Sequence, residues 1–179
     1  MFETILGLPA HVLVVHAAVV LTPLLVLVAL GYAVVPPFRR VSGWAVVGLA
    51  LVAPAVVYVA RESGKAFRSR LQTRDRFPAQ LAAKVTRHEN YSTWLFYLII
   101  ALAVVSLLLV LVARTYRRRI EPPRSDGPGA ASAPAPRKGG VLPVLQAILG
   151  LLVIGLAVAS AYYIFKTGDS GARMTWEGQ

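Results

Sequence analysis

The sequence predicts an all-α fold: an integral membrane four-helix bundle made of two transmembrane hairpins. Three observations predict it. Of 179 residues, 56% are hydrophobic and only 15% charged, against about 45–50% apolar and about 25% charged residues in soluble domains. The charged residues fall almost entirely outside four apolar runs, at 12–35, 41–60, 94–113 and 141–165. Each run has at least 20 residues and no Asp, Glu, Lys or Arg; at about 1.5 Å per residue that length covers a hydrocarbon layer of about 30 Å. An ordinary soluble enzyme, a disordered tail and a disulfide scaffold are excluded. With no cysteine in the chain, thiolate catalysis, iron–sulfur clusters and Cys-ligated zinc are excluded too.

The first run contains only His16 and Thr22 as strongly polar side chains. Its lead-in has no Lys or Arg, and the run is far longer than the about 7–15 apolar residues of a signal peptide, so it reads as a retained helix. A connection at 36–40 holds Arg39 and Arg40 and closes a tight hairpin with the second run. The next connection, 61–93, is strongly basic and carries Glu62, Asp75 and Glu89. No Gly or Pro lies between Pro78 and Pro122, so the third helix is expected to begin near Ala79 and to project beyond the bilayer. Leu81, Val85 and His88 share one face of that extension. After RTYRRR, the segment 122–140 (PPRSDGPGAASAPAPRKGG) is mostly Pro, Gly, Ala and Ser. It reads as a flexible linker between the hairpins. The fourth run holds the small-residue spacings Gly155-xxx-Ala159 and Ala157-xxx-Ala161, which permit close helix packing.

Four spans place both termini and the 61–93 connection on one side. Lys and Arg divide almost evenly between the two sides, but Arg39, Arg40 and RTYRRR abut helix ends directly. Residues near the spans weigh most, which favours extracytoplasmic termini and a cytoplasmic linker. The net charge of +11 follows from the same flanking positions, where anionic headgroups attract basic side chains; it does not call for nucleic acid as a partner. The lipid bilayer is the expected one.

All three histidines map to the same membrane side. His11 lies at the mouth of the first helix, His16 about 7.5 Å deeper, and His88 ahead of the third span. Glu62, Glu89 and Asp169 reach that side too. His11 and His16 are about 140° apart around a helix, so they cannot form the i, i+4 pair that grips one metal. A shared ligand would need His88, Glu89 or Glu62. His16 admits two readings: a ligand, as intramembrane ionisable residues often are, or a hydrogen bond between helices. Glu62-Ser63-Gly64 after the second run and Asp169-Ser170-Gly171 after the fourth echo each other. In both, the Gly is expected to end the helix and the acid to order the turn.

The opening GLPAHVLVVHAAVVLTPL, the HENYSTW before the third run and the closing GDSGARMTW together resemble a bacterial family of four-helix membrane proteins, domain-of-unknown-function family twenty-two thirty-one. The resemblance implies a multi-pass protein of the bacterial plasma membrane, with no assigned reaction, in a haem or electron-transfer setting. The matching positions are His11, His16, His88, Glu89, Gly64 and the Asp169-Ser170-Gly171 segment.

Three functions stand open. One is a haem b or divalent-metal site built from His11, His16 and His88 with Glu89 or Glu62, serving membrane redox proteins. Another is a non-catalytic scaffold or accessory subunit, packing on a partner or in a homo-oligomer. The third is a small transporter, for which His16 alone supplies an ionisable group inside a span.

Overall fold

In the computed structural model the described backbone covers residues 4–5, 8–73, 79–120 and 140–176, and the described side chains begin at Val14. The described residues form four helices: α1 (Ala10–Val34), α2 (Phe38–Thr73), α3 (Ala79–Ile120) and α4 (Val141–Trp176). A minimal antiparallel pairing of Thr4–Ile5 (β1) with Leu8–Pro9 (β2) leads into α1, a feature the hydropathy pattern does not announce. The helices pack in cyclic order. α1 lies against α2 and α4, α3 against α2 and α4, and α1 touches α3 only sparsely across the diagonal.

The interior is one seam per helix. On α1 it runs Thr22, Leu25, Val26, Ala29, Tyr32 and Ala33, the 3.6-residue period of a single buried stripe. Val46, Ala50, Ala53 and Val57 continue it on α2, with Ile99, Leu102, Ala103 and Leu109 on α3. Small residues in these seams let the backbones approach where lipid offers no hydrophobic driving force. α4 contributes Leu149, Val153, Ala157 and Ser160. Gly155 faces outward with nothing near it, so the Gly155-xxx-Ala159 spacing is not a packing seam inside this chain.

The outer surface is apolar. Val20, Leu27, Leu51, Leu111, Leu151 and Val158 are each 62–69% exposed, an amount of contiguous apolar surface that water does not tolerate and lipid does. All four helices are long and apolar enough to cross a membrane. Aromatic side chains mark the borders. Tyr58, Trp94, Tyr97, Tyr162 and Phe165 project at one level and Trp44 at the other, as interfacial rings do. From Trp94 to Arg114 along α3 is about 30 Å, one hydrocarbon thickness.

Three helices outrun that layer on one side. α3 begins at Ala79, where the sequence places it, and α2 continues to Thr73 rather than ending near residue 60. α4 runs on to Trp176. Gly64 and Gly171 therefore lie inside helices, and neither ends one. The expected acid-Ser-Gly turns do not form, because side-chain bonds to neighbouring helices outweigh the about 1 kcal/mol that an interior glycine costs. The opposite ends are short: Pro36 and Pro37 stop α1, and α2 restarts at Phe38. Apart from Gly140, the expected 122–140 linker lies outside the described residues.

Candidate functional site

The described carboxylates and His88 gather where α2, α3 and α4 leave the bilayer and project as a stalk. On α3, His88 and Glu89 are consecutive, so they point about 100° apart. Each meets a different neighbour. The Glu89 carboxylate pairs with the Arg68 guanidinium of α2. His88 Nδ1 stands 3.0 Å from the Ser170 hydroxyl of α4. That hydroxyl donates to the Thr167 carbonyl, so it is an acceptor for Nδ1–H when the ring carries its proton there. Gly171 makes room for the ring: a Cβ there would stand 3.4 Å from His88 Cε1.

One turn nearer the membrane, Arg61 of α2 donates to the Thr93 hydroxyl at 3.0 Å and lies 4.8 Å above the Phe96 ring. Thr93 in turn donates to the Glu89 carbonyl. Tyr163 of α4 stacks against Tyr91 and Trp94 of α3, each at 6.4 Å. The remaining acids pair within their own helices: Glu62 with Lys65 at 2.7 Å, and Asp169 with Arg173 at 3.0 Å.

The residues singled out by sequence thus separate. Glu89 and His88 join α3 to opposite neighbours, and Glu62 turns to Lys65. The side chain of His11 lies outside the described residues. His16 is exposed on α1, the helix diagonal to α3. The register set by Tyr32 against Gly43 and Arg61 against Thr93 places it roughly two turns deeper than His88, close to the aromatic border. Among the described residues, no three His, Asp or Glu side chains converge so as to hold a metal ion.

Arg68 and Ser170 are the partners that sequence reading missed. Glu62 and Lys65, three apart, are the available signal that α2 runs on as a helix. Once it does, Arg68 faces the start of α3.

A four-helix, multi-pass membrane bundle with a hydrogen-bonded helical stalk is the class of protein these features define. The family model described as a predicted membrane protein, DUF2231, matches residues 7–179. The chain belongs to this family. No curated protein and no solved structure matches it.

Proposed function

We propose that the chain is a non-catalytic membrane subunit, anchored by its four spans, that presents the stalk of α2, α3 and α4 to a partner. One observation carries this reading. Glu89 and His88 join α3 to α2 and α4, and Glu62 and Asp169 are neutralised within their own helices, so the described ionisable groups serve the packing and charge balance of the stalk. A reactive centre would instead hold such groups convergent and in reserve. Membrane redox proteins or a second copy of the chain are the partner classes consistent with it.

The stalk lies outside if the termini are extracytoplasmic, an orientation supported by Arg39, Arg40, Arg114 and Arg117 standing together at the opposite membrane border. The experiment is photocrosslinking in native membranes. A photoreactive side chain at Gln72, Arg87 or Ala172, all exposed on the stalk, is expected to capture a discrete protein adduct. The same group at Leu51 or Leu111 should capture lipid. Lipid or nothing from every stalk position would overturn the reading.

A second reading keeps one observation in its favour. His88 Nδ1 is held against the Ser170 hydroxyl, and a hydrogen bond that orients one imidazole nitrogen is a common accompaniment of ligation through the ring. It demands haem or metal stoichiometric with the chain.

A further inference from the structure

Two clefts of similar size indent the ends of the bundle, and their charges are arranged differently. The stalk cleft, about 370 Å³, is lined by Arg61, Lys65 and Arg68. Each of these is engaged by Thr93, Glu62 or Glu89. The other cleft, about 390 Å³, opens at the opposite membrane border between the α1–α2 turn and the end of α3. Arg39, Arg40, Arg114 and Arg117 line it, and no carboxylate among the described residues does.

Of these four, Arg39 is committed to the fold. Its guanidinium donates to the carbonyls of Tyr32 and Ala33 at the end of α1, groups that a helix C-terminus leaves unpaired. Arg40, Arg114 and Arg117 have no acidic partner among the described residues. Gly43 lines the cleft on the α2 side, with room for a Cβ in ordinary contact. A Cβ there would stand 3.4 Å from the Arg114 guanidinium and 3.7 Å from the Tyr32 ring. Three guanidinium groups lining one cleft with no counter-charge among the described residues are a costly arrangement unless an anion joins them.

We propose that this cleft binds the phosphate headgroup of an anionic phospholipid. Guanidinium forks match phosphate oxygens in geometry as well as charge, and basic pockets between spans are suited to such headgroups. A free phosphate would satisfy the same charges. The walls favour a lipid: Val41 and Trp44, both lining the cleft, are 66% and 76% exposed on the apolar surface that faces acyl chains. A headgroup at the arginines would leave its tails against them.

The test uses the full chain in a phosphate-free detergent, with bound lipid counted by native mass spectrometry. Mixed micelles of phosphatidylglycerol should leave lipid bound at least tenfold more than those of phosphatidylcholine. The double variant Arg114→Gln, Arg117→Gln should abolish that preference, whereas Arg118→Gln with Arg119→Gln, next to the cleft but outside its lining, should keep it. If the first double variant does not fold, Arg40→Gln, at an exposed position, should still lower retention severalfold. Equal binding of the two lipids, or unchanged retention in these cleft variants, would overturn the proposal. So would displacement of the lipid by millimolar inorganic phosphate, which would assign the cleft to a soluble anion.

Discussion

At residue scale the stalk depends on a few side chains that each reach one neighbouring helix. Glu89 and Arg68 are about one-third exposed, so water screens their attraction. Glu89→Gln should lower stability in detergent by about 1 kcal/mol or less, read as a reduced thermal midpoint with the helix content unchanged. Gly171 is the more sensitive position. A β-branched side chain would enter the space of the His88 ring, so Gly171→Val should separate His88 from Ser170 and lower the midpoint more than Glu89→Gln does. Two polar atoms in the seam predict the opposite sign. Ser106 Oγ and Ser160 Oγ are buried and have no hydrogen-bond partner among the described residues. Ser106→Ala and Ser160→Ala should therefore be neutral or stabilising, by up to about 1 kcal/mol. A fall of several kcal/mol in either would mean that the hydroxyl is used.

At the scale of elements, the distinguishing feature is that three helices continue past the bilayer as helices. Gly168 lies within α4 with nothing within 4 Å of a Cβ. Gly168→Ala should stabilise the projecting end by up to about 1 kcal/mol, the helix-propensity difference. If the chain turned there instead, with glycine in a left-handed conformation, alanine would destabilise it. The sequence makes the spans legible because an uncharged run of at least 20 residues has few alternatives in lipid. The start of α3 is equally legible, since Pro78 bars the helix from extending backwards. The continuation of α2 and α4 is not. Gly64 and Gly171 carry a local stop signal, and contacts such as those from Arg68 to Glu89 and from Ser170 to His88 override it. Those contacts lie 21 and 82 residues apart, beyond the reach of any local pattern. For the same reason the histidines could be assigned to one membrane side but not to one site. Counting spans fixes a side; it fixes neither depth nor the helix face that each ring occupies.

On the scale of the whole molecule, the two ends of the bundle have different chemistry. One is a stalk whose described acids are neutralised in place, and the other is a cluster of arginines at the membrane border. That polarity predicts extracytoplasmic termini. Because the chain has no cysteine, single cysteines at Gln72 and Ala172 can be introduced without background. Both should react with an impermeant thiol reagent in intact cells, and a cysteine at Arg118 should not. The central claim is that Glu89 and His88 fasten α3 to its neighbours and that the ionisable groups of the stalk do not hold a redox or metal centre. It is tested most directly by the absorbance spectrum of the purified, intact chain, oxidised and reduced, with metal analysis of the same sample. The account predicts no haem band and metal well below one equivalent per chain, unchanged in His16→Ala and His88→Gln. A stoichiometric haem or metal that either substitution removes would contradict it.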